Sequence, residues 1–308
     1  MNWDALRAAG CAVRLNAPLA DYTTFRLGGP CPALVACATL EQLTLAVGAL
    51  HAAQQDFVLI GGGSNLLVSD QGLTHVVVRY VSDQPHIRRE GNIVSVSGST
   101  LLDDLIAWTV EEGLDGLVYA SGIPGTVGGA VAGNAGAFGR QIGDVIETAV
   151  ILDPAGQTQI VPAGELGFAY RRSRLQATGE IVAAVRLHLP PGDRAALRHQ
   201  RAEFLDIRRH KHPDWRVLPT AGSFFKNVAP TSAAGRRQAA GWFLEQAGAQ
   251  ALRVRGARPF EKHANIVVRD GECAAQDVLN LARQMAAAVQ RKFGLALERE
   301  VRLLGHFE

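Results

Sequence analysis

Residues 122–144 read GIPGTVGGAVAGNAGAFGRQIGD, and this stretch decides how the chain is understood. It holds eight glycines and four alanines, no lysine, and a single arginine, Arg140. Flexible linkers favour serine and solvated charge, whereas this run interleaves Ile123, Val127, Val131 and Phe138 with its glycines. Glycine at such density points to positive φ and to close approach of the backbone to something large, flat or anionic. Bare amide N–H groups in such loops form concave anion sites that suit a pyrophosphate. A purely structural turn is the alternative reading.

A second cluster lies upstream. Phe57-Val-Leu-Ile60 has strand character, Gly61-Gly62-Gly63-Ser64-Asn65 follows at once, and Leu66-Leu67-Val68 resumes the apolar pattern. This is neither the GxGxxG that opens a helix in dinucleotide folds nor a phosphate loop ending in Gly-Lys-Ser/Thr. A strand–turn–strand hairpin would use the same glycines. Two anion-competent loops in one chain together predict a dinucleotide clamped between two lobes.

Composition narrows the class. With 308 residues and 47% hydrophobic content, the chain is long enough for two or three domains with a large core. Its net charge of +2, from 31 basic and 29 acidic residues, gives no global field to attract nucleic acid or a membrane surface. The four cysteines, Cys11, Cys31, Cys37 and Cys273, show no CxxC spacing, and no secretion signal is recognisable ahead of them. No apolar run approaches the length of a membrane span. The expectation is a cytoplasmic protein with reduced thiols, and no HxxxH, CxxC or carboxylate cluster calls for a metal.

Hydrophobic periodicity predicts a strand at Leu34-Val35, a helix over 41–54, and strands at 57–60, 76–78 and 93–96. A helix over 101–112 follows, with Ser99 or Thr100 as N-cap. Strands are expected at 148–152 and 181–189, and Pro190-Pro191-Gly192-Asp193 is a candidate domain boundary. Beyond it the pattern predicts helices over 195–209, 239–247 and 274–292, and strands at 264–268 and 297–304. Ser223 falls in a strand or turn.

The two glycine clusters, GGGSN and GIPGTVGGAVAGNAGAFG, resemble the flavin-binding pair of the UDP-N-acetylenolpyruvoylglucosamine reductase (MurB) family. Four further segments resemble that family in order: 16–25 (NAPLADYTTF), Tyr170-Arg171, 221–227 (AGSFFKN) and 297–302 (LEREVR). The resemblance covers nearly the whole chain, and the last two segments are its most specific part. It implies an α+β fold with a two-lobed FAD-binding domain of the PCMH/vanillyl-alcohol-oxidase type and an α+β substrate-binding domain. The implied lobes are 1–78 with 296–308, then 79–195, then 196–295, with the last strand returning to the first lobe. Implied cofactors are non-covalent FAD and NADPH as hydride donor. The implied cofactor contacts are Ile60, Gly61, Gly62, Gly63, Ser64, Asn65, Gly122, Ile123, Pro124, Gly125, Thr126, Gly128, Gly129, Asn134, Gly136, Ala137, Ile181 and Arg302. The implied reaction reduces UDP-N-acetylglucosamine enolpyruvate to UDP-N-acetylmuramate in peptidoglycan precursor synthesis, in a monomer.

Each candidate for chemistry also has a plainer reading. Ser223 lacks the histidine base or Gly-x-Ser-x-Gly elbow of a nucleophile, and by itself reads as a turn serine. The resemblance makes it the proton donor. Arg171, in a run of basic residues, could be a solvated loop residue. A guanidinium also gives forked recognition of a carboxylate, and the resemblance makes it catalytic. Glu300 alternates with Glu298 and Arg302 on one face of an apparent edge strand, where charge pairs are the ordinary expectation. By resemblance Glu300 is the catalytic carboxylate and Arg302 approaches the flavin pyrimidine edge. Arg208 and Lys211 could complement a helix dipole or meet a UDP diphosphate. Tyr170, Lys226, Asn227 and His263 complete the candidate substrate contacts, Lys226 also as a helper to Ser223.

Two departures from the family pattern stand out. Arg172 occupies a position that is acidic in some members. Tyr170 is the last tyrosine of the chain, which resembles the shorter, second class of the family without a tyrosine lid. Two rival functions stay open on the residues: a flavin oxidase acting on an alcohol or sugar, and a UDP-sugar or flavin-binding module without chemistry. Residues 61–68 hold no histidine or cysteine to tether a flavin covalently, unlike many such oxidases.

Overall fold

The computed structural model describes residues 3–230 and 237–308, and the chain divides into two compact units. The first comprises residues 1–17, 32–62 and 75–207, and the second 18–31, 63–74 and 208–308. Mixed helix and sheet in both makes the fold α+β.

Two sheets build the first unit. One has four strands in the order Ala12–Pro18, Pro30–Cys37, Val76–Tyr80, Phe57–Ile60, and its last three run parallel. The helix Leu40–Ala52 lays Leu43, Ala46, Val47 and Leu50 on it, a spacing that puts all four on one helical face. This helix starts where Thr39 and Gln42 form a reciprocal capping box, which satisfies amides the first turn leaves bare. The other sheet is antiparallel, in the order Thr158–Pro162, Ile146–Leu152, Ile181–His188, Ile93–Ser97, Ile87–Glu90. Its buried Val94, Val96, Ala149, Val185 and Leu187 share one core with Leu105 and Ile106 of helix Leu102–Glu111 and Val127 and Val131 of helix Val127–Ala132. Burying side chains of this size contributes roughly 1.5–3 kcal/mol each, so the glycine-rich helix is anchored by its two valines.

The second unit centres on an antiparallel sheet in the order Thr220–Ser223, His263–Arg269, Ala257–Phe260. Helix Ala275–Phe293 covers it with Val278, Leu281, Ala282, Met285 and Val289, and stops at Gly294 in the left-handed region. A separate parallel pair joins Leu66–Val68 to Arg302–Leu304.

Several expectations need correcting. Neither Ser99 nor Thr100 caps the helix that begins at Leu102, whose N-cap is Leu101 without a side-chain bond. Ser99 Oγ donates to Ala38 O instead, and Thr100 Oγ1 accepts from His86 N, so burial spends both hydroxyls elsewhere. The apolar runs around Gly61–Asn65 do not form a hairpin: 57–60 pairs with 76–80 and 66–68 pairs with 302–304. The terminal alternation is a regular strand only over Arg302–Leu304. Asp193 of the Pro-Pro-Gly-Asp punctuation accepts from Ala196 N at 2.7 Å and so starts helix Arg194–Lys211.

Candidate active site

In the first unit the two glycine clusters meet. A Cβ on Gly61 would stand 2.5 Å from Thr126 Oγ1, and one on Gly62 would stand 3.1 Å from Gly125 Cα. The second loop is held at both ends. Gly122 N donates to Asp103 Oδ1, Val127 N to Thr100 O, and Gly128 N to Gly98 O. Between these anchors the amides of Gly125 and Thr126, like that of Gly62, donate no hydrogen bond within the chain among the described residues. Thr126 instead caps helix Val127–Ala132 through its hydroxyl, which accepts from Gly129 N. Gly128 serves packing, since a Cβ there would meet Gly98 O at 3.1 Å and Val182 O at 3.2 Å. Ile181 and Ile60 are buried strand residues, and Ile123 packs on the same core as the helix. Pro124 is exposed. Gly136 and Ala137 pair with Gln141 and Arg140 in a tight hairpin, with Phe138 and Gly139 both at positive φ.

Arg171 sits at the tip of a second tight turn. Ala169 and Arg172 exchange two backbone hydrogen bonds of 3.0 Å, and Arg171 takes φ +55°, a strained conformation for a side-chain-bearing residue. Its guanidinium lies 5.5 Å from the ring centre of Tyr170. The side chain of Asn134, itself buried, donates to Ala169 O at the base of this turn. Nearby, the hydroxyl of the buried Tyr119 has no hydrogen-bond partner, and burial pushes its pKa well above the usual phenol range. Asp144, Arg140 and Arg171 are the charges that act on it.

Ser223 and Glu300 belong to the second unit, where one backbone junction brings their segments together. Glu300 N donates to Phe224 O at 2.8 Å, and Lys226 N donates to Glu298 O at 2.8 Å. Asn265 frames the same junction: its amide donates to Phe225 O while its oxygen accepts from Phe225 N. Asn65 is part of the same junction: its Nδ2 donates to Glu300 O, and Arg302 N donates to Asn65 O. Gly63 is packed so tightly that a Cβ would overlap Tyr22 O, and its own carbonyl accepts from Thr24 N. Thr24 Oγ1 then donates to Thr220 O, tying this loop to the strand that ends at Ser223. Ser64, at the centre of the cluster, is half-buried. Lys226 Nζ is engaged by Glu298 at 2.6 Å, the cross-strand charge pair that the plainer reading of this segment expects. Asn227 Oδ1 accepts from Ala240 N at the start of helix Ala240–Gln246.

Arg208, Lys211 and His263 gather around a residue that sequence reading overlooked, His212. The two imidazoles lie 5.6 Å apart, and His263 Nδ1 is buried without a partner. Burial, Arg208, His263 and Lys211 push His212 down to about 4, and burial lowers His263 as well. Both rings are therefore neutral beside two permanent cations at neutral pH.

Residues 31–161 match the model of the FAD binding domain, and residues 212–304 that of the UDP-N-acetylenolpyruvoylglucosamine reductase C-terminal domain. UDP-N-acetylenolpyruvoylglucosamine reductase 2 of Symbiobacterium thermophilum is 39% identical over 96% of this chain and 92% of its own length. The reductase of Moorella thermoacetica is 37% identical over 95% and 93%. The chain belongs to the UDP-N-acetylenolpyruvoylglucosamine reductase (MurB) family. Crystallographic MurB from Thermus caldophilus superposes with a TM-score of 0.77 at 32% identity, covering 96% of this chain and 99% of that one.

The first unit of this MurB-family chain fits an FAD pyrophosphate. Three bare amides line a seam where glycine replaces side chains on both strands of backbone, which leaves donors and room for an anion. Among the described residues no cluster of histidine, cysteine or carboxylate suits a metal, and no helix is long and apolar enough to cross a membrane. Sequence reading missed Thr24, Ser173, His212 and Asn265. Asn265 alone carried a signal, a polar residue inside the apolar run Ala264–Val268.

Proposed function

We infer that this chain is an NADPH-dependent flavoenzyme that reduces the enolpyruvyl group of UDP-N-acetylglucosamine enolpyruvate to UDP-N-acetylmuramate, a step of peptidoglycan precursor synthesis. The observation that carries the reading is the backbone junction of 224–226 with 298–300, which sets Ser223 beside the Glu300 segment. When bound, FAD supplies a hydride relay from NADPH to C3 of the enolpyruvyl group. The amides of Gly62, Gly125 and Thr126 would hold the pyrophosphate of a non-covalent FAD, and Arg302 would favour a negatively charged reduced flavin. Arg171 and Glu300 stabilise the enolic intermediate that hydride addition at C3 generates, with the guanidinium as the cation beside its negative charge. Ser223 delivers the proton at C2. A hydroxyl is a weak acid, so this role needs a rigid polar frame, and the bonds of Asn265 to Phe225 supply one two residues from Ser223.

Arg208, Lys211 and His263 meet the UDP moiety in this reading, with Tyr170, Lys226 and Asn227 as further contacts. Pairing of 302–304 with 66–68 supports a last strand that returns to the first of three lobes. The short interval from Tyr170 to Ser223, free of tyrosine, supports assignment to the lidless class. The protein acts as a cytoplasmic monomer. Steady-state NADPH oxidation tests the whole reading: consumption should match UDP-N-acetylmuramate formed, mole for mole. Oxygen uptake with an alcohol or sugar and no need for NADPH would instead establish the oxidase.

A further inference from the structure

We propose that Asn134 and Ser173 are positioning residues that fix Arg171 to the glycine loop, so that one piece of backbone registers both the cofactor and the catalytic guanidinium. The proposal rests on the role given to Arg171 above. Asn134 leaves helix Val127–Ala132 with φ +43°, a left-handed conformation that asparagine tolerates better than most residues. Its amide is spent entirely inside the chain. Nδ2 donates to Ala169 O at 2.9 Å and to Gln141 Oε1 at 2.8 Å, while Oδ1 accepts from Gly143 N at 3.1 Å. Both amide donors are thus consumed, and a buried asparagine this satisfied has nothing left to offer a ligand through its N–H groups.

The second tie is Ser173. Its buried hydroxyl donates to Ala132 O at 2.7 Å, a carbonyl of the last turn of the glycine-rich helix that has no intrahelical partner of its own. Ala169 and Ser173 bracket the turn, and Arg171 lies between them. The turn's own two backbone bonds close it, and Gln176 Nε2 donates to Arg171 O at 3.4 Å from within the same segment. Two bonds from opposite sides of the turn to one short helix and its exit set its direction. The helix in turn begins at Thr126, the residue whose amide is left bare beside Gly125.

Asn134→Asp keeps the size, the left-handed tolerance and the acceptor for Gly143, but turns an oxygen toward Ala169 O. Ser173→Ala removes only the second tie and disturbs folding less. Two measurements decide the proposal. In hydrogen exchange, the peptide spanning 166–176 should exchange at least about tenfold faster in both variants, with 122–130 unchanged. In stopped flow, Ser173→Ala should keep reduction of bound flavin by NADPH within about threefold of wild type while reoxidation by the enolpyruvyl substrate falls by about tenfold or more, and Asn134→Asp should slow reoxidation by about 10²-fold, as misplacement of a catalytic group does. Unchanged exchange over 166–176 overturns the proposal. So does equal slowing of the two half-reactions, or loss of flavin with normal reoxidation of what stays bound. Should the wild type fail to reduce the enolpyruvyl substrate, the reading of the function falls, and exchange alone then decides whether the clamp exists.

Discussion

A Cβ on Gly62 would stand 3.1 Å from the Cα of Gly125, and the two glycine clusters, far apart in sequence, share one seam because neither carries a side chain. Gly125 also takes φ +123°, where L-residues are rarely found. Gly125→Val and Gly61→Val should therefore give colourless protein. Gly129→Ala, whose new methyl meets only Thr126 Oγ1 at 3.4 Å, should keep its flavin. The ratio of flavin to protein absorbance after purification checks all three, and full occupancy in Gly125→Val would show that the glycines serve packing alone.

Ser223→Ala should separate the half-reactions. Hydride delivery to the flavin needs no acid on the substrate carbon, so its rate should stay within roughly tenfold, while reoxidation by the enolpyruvyl substrate should drop about 10²-fold or more, the range of a lost general acid. Stopped-flow absorbance resolves the two phases. Equal slowing would make Ser223 a shaping residue and leave Glu300 as the donor.

Arg208→Ala and Lys211→Ala should raise KM for the UDP substrate with little change in kcat, each by on the order of 1–3 kcal/mol where the contact is desolvated. Each should also raise the His212 pKa, because a like charge is removed from its side. Proton NMR of the imidazole reads that shift without any substrate present, and an unmoved His212 would remove these two cations from its neighbourhood.

Acid should destabilise the fold through His212. Its folded value of about 4 lies below its ordinary 6.5, so as pH falls the unfolded chain takes up the proton first. The stabilisation is full above 6.5 and is lost progressively down to about 4, by about 3 kcal/mol. Urea midpoints of wild type and His212→Asn at neutral pH and near pH 4 measure this. The variant should show the shallower decline, and parallel declines would mean that His212 is protonated in the fold.

Sequence pattern located most elements because burial imposes a period. The helix over Ala275–Phe293 and the strand over His263–Arg269 are apolar on their buried faces and end at Gly294 and Asp270. It failed where long-range bonds override local preference. Thr100 looks like an N-cap by position, yet His86 N claims its hydroxyl. Glu298 to Val301 alternate like a strand, but pair with 224–226 through an irregular junction that no period encodes. Among site residues, glycines were legible because they are dense. Ser173 and Thr24 were not, since a single buried hydroxyl aimed at a distant carbonyl leaves no trace in spacing.

The parallel pair of Leu66–Val68 with Arg302–Leu304 governs the order in which the chain can be completed on the ribosome. Residues 18–31 and 63–74 emerge early and bond to each other, yet the rest of their unit lies at 208–308. At about 5–20 residues per second, strand 66–68 waits on the order of 10–50 s for its partner. Throughout that interval Leu67, fully buried in the finished protein, has no strand to lie against. Nascent-chain arrest before residue 302 should thus leave 63–74 open to protease, while 76–207 is already protected.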